Sequence, residues 1–186
     1  MEIMESSTLN EEELLGVKLR KFSEEYFVNP SHDNRENLLQ LLQNNNCREV
    51  IVKCVDGDDM SNAFVCAGWQ NHPDIFRAFL NQGMNVDIKN AEGNTALIEA
   101  CDDGHEEIVR LLLNHNANPD VSNNCETTAL MRASYNGHQE IVQLLLTCNA
   151  DKDLKNQFGK VALGIARTKE IKEMIHNHVN TSYVLK

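Results

Sequence analysis

The chain has 186 residues and a formal net charge of −11, from 17 basic and 28 acidic side chains. That length holds one ordinary domain or one short solenoid with a real core. The acidic balance speaks against a nucleic-acid binder, which needs a basic face, and against docking on anionic membrane. Hydrophobic residues at 41% and charged residues at 24% are globular proportions, so a packed fold is expected.

Met1 to Leu15 carry five Glu and no Lys or Arg, which does not make a secretory signal. No apolar run approaches the roughly 18 residues that span a bilayer. The expected location is cytoplasmic, with nuclear entry open to so small a chain. Residues 1–56 read as a divergent helical cap, with 1–9 flexible. Within it, Glu11 to Phe27 is amphipathic, with Leu14, Leu15, Leu19, Phe22 and Phe27 available for packing. Glu36-Asn-Leu-Leu-Gln-Leu-Leu repeats the pattern of later helices, with about five residues inserted.

Self-similarity then dominates. Asn90 to Ser122 and Asn123 to Lys155 are both 33 residues long and share TAL, GH, EIV, LLL and NA at the same offsets. A weaker copy fills 57–89. A copy truncated by about three residues fills 156–180, with a short tail after it. In the 90–122 unit a short helix begins near a capping Thr, Thr95. It ends at Asp103-Gly104, where Gly can take positive φ. A second helix, Glu106 to Asn114, carries Ile108, Val109, Leu111, Leu112 and Leu113 as a wide apolar stripe. The Asn-rich stretch from Asn116 is turn chemistry. One such pair cannot bury its stripe alone, so stability needs stacked neighbours and special ends.

These residues resemble the ankyrin repeat, whose pattern runs roughly D-x-x-G-x-T-P-L-H-x-A-A-x-x-G-H-x-E-I-V-x-L-L-L-x-x-G-A-D. The resemblance covers about Gly57 to His178. It implies an all-α solenoid of helix–turn–helix units joined by hairpin-like turns. Ala96 and Ala129 stand for the family Pro, and Ile98 and Met131 for its His. The Thr–His bonding of that turn is therefore lost, which implies lower stability. Asn116 and Asn149 stand for the Gly before Ala, and Asn also tolerates positive φ. The resemblance also makes His72, His105 and His138 structural, bonding helix to loop.

Chemistry has few other footholds. The six Cys, at 47, 54, 66, 101, 125 and 148, form no CxxC pair and show no zinc spacing with His. Cys66 and Cys101 fall where a helix core is expected, and Cys125 and Cys148 at exposed positions. No phosphate loop, GxSxG or HExxH occurs. No metal site and no cofactor are expected.

The resemblance implies a binder rather than an enzyme, using turn tips and the concave face of the first helices. Carried over, the tips give Asp58, Asp59, Glu92, Asn94, Asn124 and Thr127, with Gln157, Phe158 and Lys160 in the last copy. The ends of the first helices give Trp69 and Gln70, Asp102 and Asp103, and Tyr135 and Asn136. Trp and Tyr are enriched at interface hot spots. Two aromatics flanking a carboxylate pair suit a partner protein presenting a basic and apolar segment. Charge agrees: residues 90–122 hold 1 basic and 7 acidic side chains, while 156–186 hold 5 and 2. The reading is a monomeric adaptor or inhibitor that binds neither nucleic acid nor membrane. Two alternatives stay open, a Cys/His-dependent thiol or hydrolytic enzyme and a self-associating structural repeat.

Overall fold

The computed structural model describes residues 11–43, 47–52 and 57–178. The expectations for residues 1–9, Cys54 and the final tail lie outside them. The described residues form eleven helices: α1 Glu11–Val28, α2 His32–Leu42, α3 Arg48–Val52, α4 Asp59–Trp69, α5 Pro73–Asn81, α6 Ala96–Asp103, α7 Glu106–Asn114, α8 Ala129–Asn136, α9 Gln139–Thr147, α10 Ala162–Ile165 and α11 Lys169–Asn177. They stack in two layers. The inner row is α1, α4, α6, α8 and α10, and the outer row is α2, α5, α7, α9 and α11.

Each inner helix starts and stops for local reasons. The Thr95 hydroxyl accepts from the Ile98 amide at 3.3 Å, and Thr128 does the same for Met131 at 3.4 Å. Gly104 and Gly137 end the helices at φ 80° and 89°. Small residues let the inner row close up, and a Cβ on Gly68 would stand 3.0 Å from the Ala96 carbonyl. Ile98 and Met131 are buried. What the turn loses in a histidine hydrogen bond it regains as apolar burial, about 1.5–3 kcal/mol for each such side chain.

The outer stripe divides more finely than the sequence suggested. Ile108, Val109 and Leu112 are buried, while Leu111 and Leu113 only pack against the core from its edge. Asn116 and Asn149 do take positive φ, at 62° and 59°.

Polar links between units recur at the repeat spacing. The His105 Nε2–H donates to the Trp69 carbonyl at 2.9 Å, and that of His138 to the Asp102 carbonyl at 3.1 Å. The Asn118 amide donates to Asp87 at 3.0 Å, and the Asp151 amide to Asp120 at 2.7 Å. The tips are built alike. Oδ1 of Asn90 accepts from the amides of Glu92 and Asn94, that of Asn123 from Cys125 and Thr127, and that of Asn156 from Phe158 and Lys160.

The ends depart from this pattern. At the N-terminus, α1 and α2 occupy the two layers as a repeat would. The buried face of α1 is Gly16, Leu19, Ser23 and Tyr26. Leu14 and Phe27, expected to pack, are exposed, because Tyr26 takes the inward position. Its hydroxyl shares a 2.7 Å hydrogen bond with His72 Nδ1. Arg35 of α2 donates Nε–H to Asp74 at 3.0 Å and ties the outer layers.

At the C-terminus, α9 begins at Gln139 and α11 at Lys169, a step of 30 instead of 33. The missing three residues remove the His. Arg167 replaces it, with its amide donating to the Ser134 carbonyl at 2.9 Å and its guanidinium to the Asn136 carbonyl at 3.2 Å. Lys152 donates to the carbonyls of Ile175 and His178 at 3.1 and 2.7 Å, satisfying the open end of α11.

Candidate protein-binding groove

The repeat spacing lays two columns of side chains along the inner helices. Trp69, Asp102 and Tyr135 stand 33 apart, as do Cys66, Glu99 and Arg132. The two columns differ by three residues, which is one helical face. Trp69 exposes 55% of its surface and Tyr135 62%.

The carboxylates between them are unequal. Asp103 is exposed. Asp102 is engaged within the stack. Asn136 Nδ2–H donates to its carbonyl at 2.8 Å and to its Oδ1 at 2.7 Å, and the Arg132 guanidinium lies 3.5 Å from the same oxygen. Asp102 and Asn136 therefore join α6 to α8.

Glu99 was not singled out in the sequence, yet it is a half-buried carboxylate of the face, as Asp102 is. Burial pushes its pKa up, and the charges of Asp102 and Asp103 add to this; the Asn94 hydrogen bond and Arg132 oppose it. The bond runs from Asn94 Nδ2–H to Glu99 Oε1 at 2.7 Å. Asn94 Oδ1 in turn accepts from Asn123 Nδ2–H at 2.8 Å. Asn94 thus links the groove to the next tip. The signal that marks Glu99 is the repeat itself, since it stands one period before Arg132.

Beside Trp69 is a cleft of about 60 Å³ lined by Phe27, Asn62, Val65, Cys66, Trp69 and Glu99. Metabolite sites run to roughly 300 Å³ or more, so it holds a side-chain tip at most.

The tips are also unequal. Asp58 is the N-cap of α4, its Oδ1 accepting from the Ser61 amide at 2.7 Å, and Asp59 opens that helix. α4 starts four residues earlier in the repeat than α6 and α8, so Asp59 is helical where the later units are still in their turn. Gln70 ends the same helix. Glu92 and Asn124 are exposed on adjoining tips, where the Asn124 amide donates to the Glu92 carbonyl at 3.3 Å. Thr127 is half-buried, its amide held by Asn123. Phe158 exposes 74% of its surface on the last tip.

The thiols are arranged for packing. Cys66 and Cys101 are buried, and burial holds both above the usual thiol range, Cys66 at about 11. A thiol so held carries little of the thiolate that attacks substrates. Cys125 and Cys148 are exposed, as their positions implied. Among the described residues no group of three or more His, Cys, Asp or Glu could hold a metal ion, and no helix is long and apolar enough to cross a membrane.

The family model described as ankyrin repeats (3 copies) matches residues 24–122 and, in an overlapping alignment, 63–156. The chain belongs to the ankyrin repeat family. The match reaches back into α1, in keeping with the place of α1 and α2 in the two layers. Members of this family are generally protein–protein interaction modules and typically not enzymes. No curated protein matches the chain.

Proposed function

We propose that this chain is a non-enzymatic adaptor or inhibitor that binds a basic and apolar segment of a partner protein. It acts as a monomer in the cytoplasm and engages neither nucleic acid nor membrane. Contact runs along the inner groove through Trp69, Asp103 and Tyr135, and over the tips through Glu92 and Asn124. Asp102, Asn136, Asn94 and Thr127 hold these elements in place.

The observation that carries this reading is the exposure of Trp69 and Tyr135 on either side of acidic α6. Large aromatics left in solvent at a repeat position cost solubility and suit an interface anchor.

The test is affinity capture compared across single variants. Trp69→Ala, Tyr135→Ala and Asp103→Lys should each lower capture of the bound partner about tenfold or more while circular dichroism melts stay unchanged. Asp103 is chosen over Asp102, whose replacement would also break the link to α8. Equal capture by all three variants overturns the proposed surface.

A further inference from the structure

We propose that the cleft between α1, α4 and α6 is the anchor pocket of this groove, and that it takes one arginine side chain of the partner. The guanidinium lies against Trp69 and Phe27 and donates to the Glu99 carboxylate. This deepens the groove reading and rests on it.

Size narrows the occupant first. About 60 Å³ admits the end of one side chain and excludes a helix or a folded loop. Chemistry narrows it next. The walls are Phe27, Val65 and Trp69, and the rim carries Asn62, Asn90 and Glu99. A purely apolar tip would desolvate that carboxylate with no return. An anion would meet Glu99 beside Asp102 and Asp103. A cation with a flat, weakly hydrated head satisfies both walls and rim, which favours arginine over lysine. A carboxylate offers about four acceptor positions, and Asn94 uses one on Oε1. Arg132, whose charge acts on Glu99, lies 3.5 Å from Asp102 and is shared between the two carboxylates.

The surroundings of Glu99 support the same occupant. The groups acting on it are Asp102, Asp103, Arg132 and Asn94, and across the cleft the protonated Cys66 thiol. Burial and the two aspartates hold its pKa up. A cation in the cleft stabilises the ionised form, so binding strengthens as pH rises through that titration.

Trp69 is the only tryptophan in the chain, so its fluorescence reads the cleft directly. The probes are the peptide acetyl-Leu-Arg-Leu-amide and its citrulline counterpart, which keeps the shape of the side chain and drops its charge. The full chain should give a saturable fluorescence change with the arginine peptide and bind the citrulline peptide about tenfold or more weakly. Glu99→Gln keeps an acceptor for Asn94 and should erase that preference with the melt unchanged. Phe27→Ala, on an exposed position, should weaken the arginine peptide alone. Equal binding of the two peptides, or an undiminished preference in Glu99→Gln, overturns the arginine pocket. If capture still falls in Trp69→Ala, Tyr135→Ala or Asp103→Lys, the groove reading survives that failure; if all three variants capture the partner equally, both fall.

Discussion

Three positions 33 apart, Gly93, Glu126 and Gly159, turn the chain through the left-handed region at φ of 76°, 58° and 69°. Only the middle one carries a side chain, and an L-residue there costs roughly 1–2 kcal/mol. Part of that is recovered because a glycine loosens the unfolded chain. Glu126→Gly should therefore stabilise the protein by roughly 0.5–1 kcal/mol, seen as a higher urea midpoint at constant slope. Gly93→Ala should do the reverse. Its Cβ would fall 2.3 Å from Asn124 Oδ1 and 2.8 Å from the Asn124 amide, whereas a Cβ on Gly159 would meet nothing within 4 Å. The ranking Gly93→Ala below Gly159→Ala below wild type follows, and equal losses at the two glycines would contradict it. The αL asparagines Asn116 and Asn149 were legible as residues. Glu99 and Phe27 were not, because their roles arise between helices. A carboxylate within one helix gives no sign of the cleft that the neighbouring α1 and α4 build against it.

At the scale of elements, the sequence revealed the helix pairs and the three-residue loss near Ala166. It did not reveal what fills the gap. Arg167 reads as one more surface charge, and its role depends on the carbonyls of Ser134 and Asn136 that α8 brings to it. The four-residue α10 depends on this clamp, having no side-chain cap at Val161. Arg167→Ala should lower hydrogen-exchange protection across α10 and α11 about fivefold, from the loss of about 1 kcal/mol, and leave α4 to α7 unchanged. A uniform change along the stack would show that Arg167 acts on global stability instead. The early start of α4 is hidden in the sequence for a related reason. Asp58 fits a turn or a cap equally well, and its bond to the Ser61 amide decides between them.

At the scale of the whole molecule, acidification pulls the two halves in opposite directions. Burial and the Arg35 guanidinium hold the His72 imidazole below its usual range, against Asp74. The unfolded chain therefore takes up that proton first, and stability at the α1–α5 junction falls as pH drops below about 6.5. Burial pushes the Asp74 carboxyl up, but the hydrogen bond and charge of Arg35 together with backbone amide hydrogen bonds outweigh it and hold Asp74 below the usual carboxylate range, extending the loss below about pH 4. Glu99 is held high instead, so the native groove binds its proton first and is relieved as pH falls toward about 4.5. Solenoid stability is a sum of local contributions. Hydrogen exchange at pH 5 against pH 7 should show α1 and α2 losing protection while α6 keeps its own, and His72→Gln should flatten the difference. Uniform loss along the stack would contradict this. The segment charges were countable in the sequence; the uneven burial that sets these titrations was not.

Because α4 starts four residues earlier in the repeat than α6 and α8, the cleft and the turn tips are spread unevenly along the stack. The Asn-built tips lie at 90–94, 123–127 and 156–160, and the Phe27–Trp69 cleft meets the first of them, through Asn90. From α4, the middle of the cleft, to α10 the inner row makes three interhelical steps of about 8–10 Å, or roughly 24–30 Å in all. A strand of polypeptide covers about 3.3–3.6 Å per residue. A partner touching both the cleft and the Phe158 tip must therefore offer an open run of roughly seven to nine residues. With the proposed arginine in the cleft, its side chain sits near one end of that run, and recognition then depends on length as well as charge.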